Sequence, residues 1–312
     1  MVPNRLLGVG VVLLLAGCSG DPAGRLGEEL QTTAHSFALL TLRIAAPADE
    51  LPGASGGARW ELSATAHLAR YRALDPPQVA RLLALPLDPQ RELPPLNACA
   101  FFDAERVAED DVVARDDEGE IDLLEAGEIR LAAPAPGLAL HPRSFAGLLP
   151  FVSGTVYEEA QGSVAAGFDQ PYELSAAGGA TVGSFVARAP APLVPSVVVS
   201  ARPPPKAGSV AAVGGGGSAL ELRWPVERGA ADTMYLELRS GARPGGPALR
   251  CNVIDLGHFL LPAGLLETLD PAGGESLRLE AARLHRVPVH APGLGSAELR
   301  IFASQSQALP AR

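Results

Sequence analysis

The sequence predicts a mainly β chain: two β-sandwich-like domains with one or two short helices, following an N-terminal signal segment. Three observations carry that prediction. Apolar and polar residues alternate with a period of two over 37–44 and 60–68, the pattern of strands with one face against a core. Short segments of strand-forming composition recur to near the end of the chain. Between them stand turns drawn from 34 glycines and 29 prolines, not the long helical stretches that a βαβ sheet requires.

The N-terminal segment comes first. Arg5 precedes an apolar run over 6–15, a positive start and a hydrophobic stretch of export length. A helix crossing the hydrocarbon core needs about 20 apolar residues, so this run is too short to anchor the chain by itself. It ends in Leu15-Ala16-Gly17-Cys18, followed by the polar Ser19-Gly20-Asp21-Pro22. Small residues let a backbone enter a protease site, and a thiolate is a good nucleophile for receiving a lipid. Leu15-Ala16-Gly17-Cys18 resembles the lipobox of bacterial lipoproteins at every position. The resemblance implies that residues 1–17 are a removed signal peptide and that Cys18 becomes an acylated N-terminus, with membrane lipid as its partner. Several acyl chains hold a protein firmly, at about 0.8 kcal/mol per buried CH₂. Ser19 stands where some Gram-negative lipoproteins carry the Asp of inner-membrane retention, which favours the outer membrane. Residues 18–34 then read as a lipidated tether, a coil that holds the globule roughly 20 Å from the lipid. The plainer alternative is an ordinary cleaved signal with a chance cysteine.

Residues 35–190 read as a β-rich domain. In the first strand Leu40, Leu42 and Ile44 share a face opposite Thr41 and Arg43. In the second, Trp60, Leu62, Ala64, Ala66 and Leu68 point inward and Glu61, Ser63, Thr65 and His67 outward. Asp75-Pro76-Pro77 introduces a short helix over 79–85, with Asp75 as N-cap and proline in the first turn. Further strands are expected at 98–102, 128–132, 152–158, 172–176 and 184–189.

A second domain spans 191–306, with 307–312 as a tail. Its strands are expected at 220–224, 235–239, 248–254, 258–261, 277–285 and 298–303, and a short helix at 262–269. An immunoglobulin-like sandwich usually has seven strands, and 196–200 supplies the first. The Pro- and Gly-rich run 203–218 then becomes a long loop inside the domain, not a linker between domains. Leu220-Glu221-Leu222-Arg223-Trp224, an alternating strand ending in tryptophan, resembles a fibronectin type III or similar Ig-like module. The whole layout resembles lipoproteins of GC-rich Gram-negative bacteria, a likeness that implies no particular activity.

Composition narrows the function classes. A net charge of −10 opposes binding to phosphate backbones, so no nucleic acid partner is expected. Cys99 and Cys251 are the cysteines left after Cys18, and an exported chain can join them in a disulfide or bury them separately. Gly53-Ala54-Ser55-Gly56-Gly57 formally fits G-x-S-x-G, but a strand follows it where the nucleophile elbow needs a helix; a turn is the simpler reading. The acidic region around Glu109, Asp110, Asp111, Asp116, Asp117, Glu118, Glu120 and Asp122 offers oxygens to Ca²⁺, yet EF-hand spacing fails because the first position falls on Ala114. The histidines, His35, His67, His141, His258, His285 and His290, form no zinc motif. No catalytic residues, metal ligands or cofactor are therefore assigned. The expectation is a lipid-anchored cell-envelope protein, non-enzymatic, serving binding, adhesion or scaffolding toward an envelope protein or glycan. The alternative is an envelope hydrolase or carbohydrate-active protein whose site assembles only in three dimensions.

Overall fold

The computed structural model describes residues 34–46, 59–102, 119–132, 137–145, 151–165, 171–202, 219–227, 233–241, 246–269 and 276–309. Cys18 and the tether lie outside them. So do residues 53–57, the run 203–218, and Glu109, Asp110, Asp111, Asp116, Asp117 and Glu118.

The fold is mainly β. Along the chain come β1 (His35–Ala46), β2 (Arg59–Arg72), helices α1 (Pro76–Leu82) and α2 (Pro89–Glu92), and β3 (Ala98–Phe102). Shorter strands follow: β4 (Glu120–Leu123), β5 (Ile129–Ala132), β6 (Leu138–Leu140), β7 (Pro142–Ser144), β8 (Val152–Tyr157) and β9 (Ala160–Ala165). Then come β10 (Pro171–Ala176), β11 (Phe185–Pro190), β12 (Val198–Arg202), β13 (Ala219–Arg223) and β14 (Thr233–Ser240). The chain continues through β15 (Ala248–Val253), β16 (His258–Leu261), helix α3 (Ala263–Leu269), β17 (Leu277–Pro288) and β18 (Ser296–Leu309). The last strand thus runs three residues into the stretch that the sequence reads as a tail.

One long sheet organises the molecule, in the order β3-β15-β14-β17-β18-β1-β2-β4-β8-β7, with β9 also paired to β2. Two small sheets, β11-β10-β5-β6 and β12-β13-β16, accompany it. Because side chains alternate across a strand, each strand of the long sheet presents one row to each face. On the front face the rows from Leu40, Leu42 and Ile44 of β1, Leu62 to Leu68 of β2, and Leu299, Ile301 and Ala303 of β18 share a core with Ile129, Leu131, Tyr172, Leu174, Phe185 and Ala187. That core is the first sandwich, closed by the four-stranded sheet.

The second sandwich has the seven strands that the sequence suggests, β12 to β18. The first, second and fifth form the small sheet β12-β13-β16; the third, fourth, sixth and seventh lie in the long sheet as β15-β14-β17-β18. Leu222 and Trp224 meet Leu236, Leu238, Leu249, Cys251 and Leu279 between them, the face-to-face packing of a β-sandwich. The strands flanking the run 203–218 pair directly, Arg202 opposite Ala219.

The core changes just after β11: Val194 belongs to the first and Val197 to the second. Strands β17 and β18 feed both, and β1, from the N-terminal half, pairs in parallel with β18. Arg283 of β17 stands at this junction, 1% exposed. Its guanidinium grips Asp255 through Nε (2.9 Å) and Nη2 (3.1 Å), and it donates to the Leu193 and Pro225 carbonyls. Trp224 donates to the same aspartate at 2.7 Å.

Candidate functional site

The back face of the long sheet is the one that the sequence reads as solvent-facing, and the structure corrects that reading. After β2 the chain turns and crosses this face as a strap of residues 73–97 before joining the far edge as β3. Local chemistry starts the strap. Asp75 accepts from the Gln78 N–H at 2.7 Å while Gln78 Oε1 accepts from the Asp75 N–H at 3.0 Å, a reciprocal capping box that satisfies two donors at the start of α1. The helix ends with Leu85 N–H bonded to the Ala80 carbonyl and Ala84 N–H to that of Arg81, a Schellman-type close that puts Ala84 at φ 47°. The N-cap and a proline in the first turn agree with the sequence reading; the second short helix, α2, has no counterpart in it.

Apolar anchors and polar pins hold the strap down. Val79 packs with Tyr71, Ile121 and Val152, and Leu87 and Leu93 pack on Tyr235, Leu284 and Phe302. Arg300 donates to the Leu87 carbonyl at 3.0 Å, Arg250 pairs with Glu92 at 3.2 Å, and Asn252 donates to the Pro94 carbonyl at 3.0 Å. At its end Cys99 stands opposite Cys251 in register, and the two sulfurs are bonded.

Beneath the bend of the strap lies a pocket of about 190 Å³, lined by Thr41, Arg43, Ser63, Thr65, His67, Ala84, Pro86 and Glu159. Pairing explains its floor: Thr41 faces Thr65 and Arg43 faces Ser63 across β1 and β2, all on the back face by the two-residue period. Ala84 and Pro86 form the strap side. Thr41 is 1% exposed, and its Oγ1 has no hydrogen-bond partner among the described residues. Burial holds the His67 imidazole below the ordinary histidine range, so it is neutral at pH 7. The Arg43 guanidinium rests over the Phe302 ring at 5.0 Å. The floor therefore offers hydroxyls that both donate and accept, a neutral imidazole and one cation, with the exposed Glu159 carboxylate at the rim. A wider groove runs along the strap between Phe37, Tyr71, Pro76 and Glu298.

Two carboxylates elsewhere on the back face are paired with arginines. Glu237 accepts from Arg239 and Arg250, and Glu298 from Arg286 and Arg300. Burial works to raise both carboxyls, but the arginine hydrogen bonds outweigh it and hold them below the usual range. Glu280, opposite Glu237 in register, is pushed up by burial and by that neighbouring carboxylate.

The histidines do not converge. His35 stacks on Tyr71 at 5.5 Å, His258 opens β16 and His285 lies in β17. Glu120 and Asp122 lie in β4. Among the described residues no group of three or more His, Cys, Asp or Glu is placed to hold a metal ion, and no helix is long and apolar enough to cross a membrane. The pocket residues Thr41, Ser63, Thr65 and His67 drew no functional reading from sequence. Ser63, Thr65 and His67 are residue types at home on a solvent-facing strand row, so nothing in that row marks a covered face. Compared with protein-family models, curated proteins and solved structures, the chain matches none.

Proposed function

We propose that this is a lipid-anchored binding protein of the bacterial cell envelope, held in the outer membrane through acylated Cys18 and carrying its sandwiches on the tether 18–34. The observation that carries the proposal is Leu15-Ala16-Gly17-Cys18 at the end of an export-length apolar run. The Cys99–Cys251 bond supports it, because disulfides persist outside the reducing cytosol. Rigid sheets with loops and a strapped pocket suit binding an envelope protein or glycan. The experiment is mass spectrometry of the mature N-terminus combined with membrane fractionation. The expected product begins at Cys18, carries acyl chains and sediments with the outer membrane, and Cys18→Ser releases it. A soluble, unmodified chain retaining Met1 would overturn the anchor. Repeated failure of unbiased capture from envelope extracts to retain any protein or glycan would overturn the binding role.

A further inference from the structure

We infer that the end of the long sheet where β1 begins is a lipid-facing surface, whose exposed apolar loop tips enter the bilayer that holds the acylated chain; the inference rests on the anchor reading. Strand pairing places that end. His35, where the tether joins β1, stands opposite Tyr71, and Phe37 opposite Ser296. Across the sheet, Pro288 lies at the same end of β17, Thr233 of β14, Val253 of β15 and Ala98 of β3. The loops that leave this end are tied together. The Ile254 N–H donates to Asn97 Oδ1 at 3.2 Å and the Trp224 backbone N–H to the Gly257 carbonyl at 2.9 Å. Arg283 reaches Leu193, Pro225 and Asp255.

These loops turn apolar side chains outward and charges inward. Ten large apolar side chains are exposed among the described residues, and five of them stand here: Leu96, Leu193, Val226, Ile254 and Leu256. Such a concentration on one set of loops marks an interaction surface, since exposed apolar residues are otherwise scattered singly. Leu256 is 61% exposed while the neighbouring Asp255 side chain is 19%, and Val226 is 52% exposed while the Glu227 side chain is 9%. Arg283 and Trp224 bond Asp255, and Glu227 accepts from the Leu193 N–H at 3.0 Å. Covering the loops with hydrocarbon therefore strands neither carboxylate. The tether selects lipid as the cover. Four strand spacings separate β1 from β15, so His35 lies roughly 20 Å from the tips. Read as the tether, the 16 residues from 19 to 34 have a coil span of roughly 20 Å as well. An anchor at Cys18 keeps the tips within reach of its own bilayer, and tethering makes an otherwise weak insertion effective.

The test uses the full acylated chain reconstituted in vesicles of phosphatidylcholine, part of which carries a nitroxide on its acyl chain. Val226→Cys and Ser276→Cys each receive a polarity-sensitive fluorophore; Ser276 is exposed and precedes β17 at the opposite end of the sheet. Emission at 226 is expected to be blue-shifted and quenched about threefold more strongly than at 276, because interfacial burial reaches only about 5–10 Å. Leu96→Asp together with Leu256→Asp, at two exposed positions, is expected to abolish that excess while the urea midpoint stays unchanged. Equal quenching at 226 and 276, or an excess that survives the two aspartates, overturns the inference. A blue shift at 226 that needs added envelope extract and not lipid alone also overturns it, in favour of a protein partner. N-terminal mass analysis of the same preparation separates the failures. A chain without acyl groups fails the anchor and this inference with it, whereas an acylated chain whose label at 226 stays in water fails the inference alone.

Discussion

Arg283→Met removes the cation at the junction of the two cores while keeping much of the side-chain volume. In the wild type that guanidinium makes two bonds to Asp255, donates to two backbone carbonyls and lies 3.6 Å from Glu227. Removing one partner of a buried ion pair costs about 3–5 kcal/mol, and each carbonyl left without a donor adds about 1 kcal/mol or more where water cannot reach it. Asp255 and Glu227 keep some exposure, with side chains 19% and 9% accessible, so relaxation offsets part of the sum. About 4 kcal/mol is the expected loss at pH 7, read as a lowered urea midpoint with an unchanged slope. The pH dependence has a fixed sign. Burial pushes the Glu227 carboxyl above its ordinary value of 4.5, and Arg283 pulls it back down. A carboxyl raised in the folded state costs stability above its folded pKa, and that cost vanishes as pH falls through the folded value to below the unfolded one. Losing Arg283 raises Glu227 further and enlarges the cost at neutral pH. The deficit of Arg283→Met should therefore shrink between pH 7 and about pH 4.5. A loss under about 1.5 kcal/mol at pH 7, or a deficit that is flat with pH, would refute this account of the junction.

Three further outcomes follow from the geometry. Reducing Cys99–Cys251, which spans 152 residues of sequence, should lower stability by up to about 5 kcal/mol on the loop-entropy relation, with free-thiol titration and urea melts as the readout. Gly154→Ala should cost about 2 kcal/mol or more, because at φ +111° the added Cβ would collide with the Leu123 carbonyl oxygen; chemical denaturation checks it. Ala84→Gly should add about 0.5–1 kcal/mol, because φ 47° is left-handed and strained for alanine, and thermal melts should show the rise.

The strands were legible because alternation is local. The expected segments 98–102 and 258–261 coincide with β3 and β16, and the expected segments 37–44 and 60–68 sit inside β1 and β2. What local pattern does not carry is partner choice. Nothing in 37–44 announces that it pairs with the last strand of the chain, and nothing in Cys99 or its neighbours announces Cys251. The short strands β4, β6, β7 and β9 were not expected; β6 and β7, three residues each, are too short for a period to register. The pocket was invisible because alternation identifies two faces but not what covers the second. Thr41 reads as solvent-facing from its own strand, and it is buried by a segment more than forty positions away, at Ala84 and Pro86.

That second covering also accounts for the character of the back face. A strap held only by Leu87 and Leu93 would gain about 1.5–3 kcal/mol from each buried side chain, but such attraction has no direction, and the segment could slide along the sheet. The polar contacts are directional. Arg300 fixes the Leu87 carbonyl, Arg250 fixes Glu92 and Asn252 fixes Pro94, the first from β18 and the other two from β15. An unpaired arginine would be costly under the strap, so Glu298 and Glu237 neutralise Arg300 and Arg250. Such pairs add little net stability against an apolar replacement; what they supply is register. With Val79 anchored before the bend and Leu87 pinned after it, Ala84 and Pro86 come down over Thr41 and His67. The small cavity beneath the bend is thus a consequence of where the anchors lie.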